Sequence, residues 1–110
     1  MKQSKVKMTT AKHSIGELIH HKLFGYRGVI VDIDSCFQLT DEWYDAVARS
    51  RPPKNEPWYH VLVHQSTNST YVAEQNLKAD SSGEKIDHPM VDLFFCELRH
   101  GRYINNEKVN

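Results

Sequence analysis

Seven histidines, two cysteines and fourteen carboxylates give this 110-residue chain the raw material for metal or acid–base chemistry, so their spacing decides what they can do. His60 and His64 stand four apart on a strand-like stretch, about 13 Å at roughly 3.3 Å per residue, beyond the span of one metal ion. Adjacent His20 and His21 point to opposite faces of an extended chain. Glu17-Leu18-Ile19-His20-His21 lacks the pair of histidines one helical turn apart that an H-E-x-x-H site needs. Cys36 and Cys96 share no C-x-x-C spacing, and in a reducing compartment they are free thiols. No serine sits in a G-x-S-x-G elbow, neither cysteine has a histidine partner that spacing would supply, and neither phosphate-cradling glycine pattern occurs. Asp32 and Asp34 share one strand face and could serve as acid and base, but such a pair more often marks a solvated strand exit. An enzyme here would need a polar pocket lined by His60, Asp32 or Glu74. The sequence therefore predicts no catalytic residue, no metal and no cofactor, and the chain is expected not to be an enzyme.

Recognition chemistry is better represented. Phe24, Tyr26, Trp43, Tyr44, Trp58, Tyr59 and Tyr71 gather around one connection, one helix and one strand, and aromatics beside arginine are the usual anchors of interfaces and of base stacking. Most of them must also fill a core too small to be built from aliphatics alone. From this set Tyr26, Trp43 and Tyr44 are expected to contact a partner, and Lys22 with Arg27 forms the expected basic contact point for nucleic acid. Lysine plus arginine and aspartate plus glutamate number 14 each, but Lys2, Lys5, Lys7 and Lys12 fall in the first twelve residues with no acid among them. That leaves 14 − 4 = 10 basic against 14 acidic groups, a body of net charge −4. Such a body repels a duplex unless the tail or a local patch supplies the contacts, which argues against a general DNA-coating role.

The elements that would position these residues follow from hydrophobic period and punctuation. Residues 1–13 read as a disordered basic tail, 14–104 as one domain, and 105–110 as a polar C-terminal end. A first strand is expected over Ile15 to His21, and a second over Arg27 to Asp34, with Val29, Val31 and Ile33 facing the core and the other side mostly in solvent. Gly28 within it signals a bulge or a close backbone approach. Thr40 to Arg49 begins with a capping residue, carries acids in its first turn and ends on arginine, the pattern of a short amphipathic helix inserted between strands 2 and 3. Prolines at 52, 53 and 57 break regular structure until Trp58. Strands follow over Trp58 to His64 and Thr70 to Ala73, then a 3₁₀ step at Glu74-Gln75-Asn76-Leu77. His88 to Phe95 reads as either a short helix or a closing strand, and Glu97 to Ile104 as a hairpin around Gly101. Asn68-Ser69-Thr70 fits the glycosylation sequon but reads as part of a turn. No apolar run serves as a secretory signal or approaches the roughly 20 residues of a membrane span, so a cytoplasmic location is expected. The fold class expected is mainly β, a small SH3-like β barrel with one inserted helix.

Three blocks together resemble a known family. Phe24-Gly25-Tyr26-Arg27-Gly28-Val29-Ile30-Val31-Asp32-Ile33-Asp34, Pro57-Trp58-Tyr59-His60-Val61-Leu62-Val63 and Thr70-Tyr71-Val72-Ala73-Glu74-Gln75-Asn76-Leu77 are similar to the HspQ heat shock proteins, also named the hemimethylated-DNA-binding or YccV-like domain. The resemblance spans about Ser14 to Ile104, with Ser35-Cys36 standing where a proline often follows the aspartate. It implies a small β-barrel stress-response protein that self-associates into a homo-oligomer. It further implies promotion of substrate degradation by the ATP-dependent protease Lon, and binding of hemimethylated DNA in replication-initiation control. Lon and its substrates are the partners expected first, hemimethylated DNA the alternative, and no membrane is expected.

Overall fold

The run of β-branched residues in Arg27–Asp34 forms a central strand, and the remainder of the computed structural model is arranged about it. Residues 10–105 are described; Lys2, Lys5 and Lys7 of the basic tail and residues 106–110 lie outside them. In chain order the elements are β1 (Leu18–His21), β2 (Arg27–Asp34), α1 (Asp41–Val47), β3 (Trp58–Val63), β4 (Ser69–Ala73), a 3₁₀ turn (Glu74–Asn76), β5 (Leu77–Ala79), α2 (Val91–Phe94), β6 (Phe95–Arg99) and β7 (Arg102–Asn105). The fold is mainly β, with α1 inserted between β2 and β3 as expected. A five-stranded antiparallel sheet runs β4-β3-β2-β1-β5, and β6-β7 forms a separate two-stranded sheet. Among the described residues β4 and β5 are the two ends of that order and do not pair with each other, so the pairing stops short of the closed barrel expected.

Over Gly28–Ile30 both faces of β2 are buried, which corrects the expectation of one wet face there, while Asp32 beyond them is exposed. Ile30 packs with Ile19, Tyr59, Val61, Val72 and Leu77, all from the five-stranded sheet, so this cluster is the inside of its curl. Val29 packs with Leu18 and Leu62 against Ile86, Val91, Phe95 and Tyr103, which belong to the C-terminal segment. The Val29 face, the one expected to be core, is covered by chain fifty or more residues downstream, whereas the face expected in solvent is dry at Ile30 because the sheet curls around it. Both functions predicted for Gly28 are present, though at different places. A Cβ at Gly28 would lie 2.5 Å from Val61 Cγ1 and 2.6 Å from the Leu62 carbonyl oxygen. The bulge itself falls three residues on, where the β2–β3 register shifts between Ile30 and Asp32.

The first strand begins at Leu18 rather than Ile15, because Gly16 turns at φ +92° and lets the Tyr103 carbonyl press against its Cα. Ahead of Ser14, where the sequence reading starts the domain, the Lys12 amide donates to Glu74 Oε1 at 2.9 Å and the His13 amide to the Tyr59 hydroxyl at 3.2 Å. Tyr59 in turn donates to the same buried carboxylate oxygen, and burial together with that bond pushes the Tyr59 phenol well above its ordinary value. Helix α1 is capped by Thr40, whose hydroxyl accepts from the Trp43 amide at 3.1 Å. Its inward pair is Tyr44 and Ala48, whereas Val47 is 55% exposed. The helix ends at Val47, so Arg49 lies beyond its last turn. Residues 88–95 contain both alternatives in succession, with α2 leading into β6. Cys36 and Cys96 are free thiols, and no helix among the described residues is long and apolar enough to cross a membrane.

Candidate partner-binding groove

The turn between β1 and β2 is built by a histidine acting as an acceptor. His21 Nδ1 takes hydrogen bonds from the amides of Leu23 and Phe24, each at 3.1 Å, so that nitrogen carries no proton and the neutral ring caps the turn. The ring is buried, stacks on Phe24 at 4.6 Å and contacts Tyr26 at 5.0 Å. Burial lowers the His21 pKa from 6.5, and the neighbouring His20 lowers it further. The consequence is that Leu23 and Phe24 are held out in solvent, Phe24 being 76% exposed.

Acid should therefore undo the cap. Because the folded pKa is depressed, the stability owed to neutral His21 is complete above about pH 6.5 and is lost as pH falls through the depressed folded value. Urea unfolding at pH 7.5 and 5.5 should show a loss on acidification that is smaller in His21→Asn, where an amide oxygen replaces the titrating acceptor. An identical pH dependence in both proteins would refute this role for His21.

Opposite that turn, α1 and β3 erect an aromatic wall. Trp58 stacks on Tyr71 at 5.2 Å, and Trp43 meets Tyr71 edge-on at 5.7 Å, with Phe37 packed behind both tryptophans. Tyr71 is aimed by its hydroxyl, which donates to Asp34 Oδ2 at 2.7 Å, while His60 Nε2 lies 3.3 Å from the same oxygen. Burial and the Asp34 bond raise the Tyr71 pKa well above its ordinary value, so the phenol stays protonated and keeps donating.

Between the turn and the wall lies an open groove of about 700 Å³ that runs along β4. Four of the large exposed apolar side chains, Leu23, Phe24, Leu39 and Val47, line it. Of the expected partner contacts, Tyr26 and Trp43 also line it, Tyr26 with its hydroxyl 2.9 Å from Thr70 Oγ1. Tyr44 does not. It is 6% exposed, donates its hydroxyl to the Pro52 carbonyl at 2.7 Å and carries Arg51 and Lys54 over its ring at 4.6 and 4.4 Å. In the sequence Phe24 stands out only as one of seven aromatics; its exposure depends on the His21 cap.

The basic pair is divided. Lys22 stands exposed on the β1–β2 turn, whereas Arg27 is held by Asp80 at 3.0 Å and donates to the Glu84 carbonyl. Burial works to raise the Asp80 pKa, but hydrogen bonds from Ser82 and Arg27 and the Arg27 charge outweigh it and leave the carboxyl below its usual value. Of the polar trio an enzyme would need, His60 and Asp32 come together while Glu74 is committed to Lys12 and Tyr59. Asp32, Asp34 and His60 bring one possible ligand atom each within 4.8 Å of one another. The work these groups visibly do is structural: Asp34 and His60 position Tyr71, and Asp32 accepts the Ile33 amide at 2.9 Å.

Sheet and groove together define a small, mainly β domain in which four exposed apolar side chains line a groove along an edge strand. The family described as Hemimethylated DNA-binding protein YccV like matches residues 11–102, and the chain belongs to that family.

Proposed function

We propose that this protein is a non-enzymatic regulatory binding module that promotes substrate degradation by the ATP-dependent protease Lon, using the β4 groove to dock protease or substrate. The observation that carries the reading is the gathering of Leu23, Phe24, Leu39, Val47, Trp43 and Tyr26 in one open groove. Contiguous apolar surface of this kind marks interaction sites, and aromatic side chains dominate their energetics. The net acidic body, 10 − 14 = −4 beyond residue 12, also suits a protein partner better than a duplex. A partly open SH3-like barrel is the architecture we assign to the curled sheet, supported by β5 returning to pair with β1 while a single 3₁₀ turn joins β4 to β5. Homo-oligomerisation belongs to the same reading and is measured by sedimentation.

Phe24→Asp provides the test. Phe24 is exposed but stacks on His21, so the substitution should lower unfolding stability by about 0.5–1.5 kcal/mol and leave the domain folded. It should nevertheless reduce the stimulation of degradation by purified Lon by about tenfold or more, the loss of one interface anchor. A Phe24→Asp protein that stimulates as well as the parent, or a parent that does not stimulate, removes the proposal.

The family match favours a second reading, hemimethylated-DNA binding in replication-initiation control. The sheet adds one supporting feature: Arg27, His20 and Lys78 lie directly opposite one another across β2, β1 and β5, with Lys22 two residues beyond His20. Anisotropy with hemimethylated and unmethylated duplexes at two salt concentrations should then show a preference that survives salt. Lys22→Glu and Lys78→Glu should each flatten the log K against log salt slope by about 0.9 for every phosphate that is no longer neutralised. Equal affinity for the two duplexes would reduce the binding to charge attraction.

A further inference from the structure

We propose that the outer edge of β4 is a strand-addition site, which takes an extended apolar segment of a partner protein as a sixth strand and places a carboxylate of that segment against Arg49. The inference rests on the protein-docking reading above and specifies its mode.

The backbone supplies the first argument. In the β3–β4 ladder Val63 donates to the Asn68 carbonyl at 3.1 Å and Glu74 donates to the Pro57 carbonyl at 3.0 Å. Alternation along an antiparallel ladder then makes Val61/Thr70 and Tyr59/Val72 the hydrogen-bonded pairs and turns the N–H and C=O of Ser69 and Tyr71 away from β3. Among the described residues no strand covers that side.

The groove supplies the second. Successive strand residues point to opposite faces, so a pocket on one face of β4 would be lined by alternate residues. Here Ser69, Thr70, Tyr71, Val72 and Ala73 all line the same groove, which therefore wraps the edge and embraces both faces. Phe24 and Tyr26 wall one side, and Trp43 and Trp58 the other. An added strand of about five residues, about 17 Å long, would find apolar contacts for its side chains on both of its faces.

Third, the two edges of the sheet are treated differently. Exposed edges are usually blunted by shortness, lysine or proline. β5 has only three residues with Lys78 at its centre, whereas β4 reads Ser-Thr-Tyr-Val-Ala and carries neither charge nor proline.

Charge selects the occupant. Among the described residues no carboxylate lines the groove, and Arg49 lines it without an ion-pair partner. Its neighbour Ser50 lies 3.4 Å from Asn76, which puts this cation at the Ala73 end of β4. A nucleic acid would meet a single guanidinium among aromatic and aliphatic groups. A second copy of β4 would bring Arg49 no acid. A peptide that is apolar on both faces and has an acidic end satisfies both features.

The experiment uses the full chain and a fluorescein-labelled synthetic peptide alternating leucine and valine with a terminal aspartate. Saturable binding is expected. N-methylating the alternate amides of one set, those facing β4, should weaken it by about tenfold or more, since buried backbone acceptors lose their donors. Methylating the other set should leave it within about twofold, and Arg49→Glu should weaken the acid-ended peptide but not its amide-ended counterpart. Equal sensitivity to both methylated sets, no saturable binding, binding of a duplex instead of the peptide, or dimerisation through β4 that the peptide does not disturb would each overturn the proposal. Peptide binding without any effect on Lon would retain strand addition and remove the degradation reading, and stimulated degradation without peptide binding would do the reverse.

Discussion

Truncating Trp58 to alanine is expected to lower the unfolding free energy by about 3–5 kcal/mol, a large share of the about 5–15 kcal/mol that holds an ordinary domain together. The side chain is 1% exposed and is the meeting point of sheet and helix. It meets Phe37 edge-on at 4.9 Å, stacks on Tyr71 and packs with Tyr44 and Ala48 of the α1 segment, and its Nε1 donates to the Pro53 carbonyl at 3.1 Å. The alanine variant gives up the ring packing and leaves a cavity under the helix, so the α1 wall of the groove should loosen with it. Trp58→Phe separates the contributions: it keeps most of the packing and forfeits the Pro53 bond, for a loss nearer about 1–2 kcal/mol. Urea titration of the three proteins decides the matter. A loss under about 1 kcal/mol for the alanine variant would show that α1 is anchored elsewhere.

Gly16→Ala should be comparably damaging for a different reason. Gly16 sits at φ +92° with the Tyr103 carbonyl where a Cβ would go. Its amide donates to the Ile30 carbonyl at 2.8 Å, and its own carbonyl accepts from the Tyr103 amide at 2.9 Å, so it ties β7 to β2. A methyl group there adds left-handed strain of about 1–2 kcal/mol to overpacking of about 1–3 kcal/mol. Gly25 is the control, since it has φ +76° but nothing within reach of a Cβ. Gly25→Ala should show the strain alone. Equal losses at the two positions, measured by the same denaturant method, would mean that the Tyr103 approach is not what demands glycine at 16.

What is legible in the sequence is local. The Thr40 cap, the 3₁₀ step after Ala73, the hairpin at Gly101 and the insertion of a helix between β2 and β3 all depend on residues within a few positions of one another. What escapes it depends on distant chain. The burial of Ile30 on the face expected in solvent needs Tyr59, Val61, Val72 and Leu77 to curl around it, and nothing in Arg27–Asp34 announces them. Trp43 and Tyr44 are both aromatic and adjacent; the Pro52 carbonyl and the cations over its ring draw Tyr44 inward, while Trp43 is left to line the groove. Arg27 reads as a free cation until Asp80, 53 residues on, is placed beside it. The groove itself follows β4, and which edge of a sheet stays open is a property of strand order that no single segment encodes.

The separate β6-β7 sheet gives the domain a seam. It meets the five-stranded sheet through the Tyr103 amide bond to the Gly16 carbonyl, the isolated Glu17–Arg102 bridge and the packing of Ile86, Val91, Phe95 and Tyr103 on Leu18, Val29 and Leu62. Few backbone bonds cross it, so detachment of this cover should cost less than dissolving the β2–β3 ladder. The molecule therefore has two tiers of cooperativity, and under heat or mechanical load the first surface it bares is the oily underside of its own sheet.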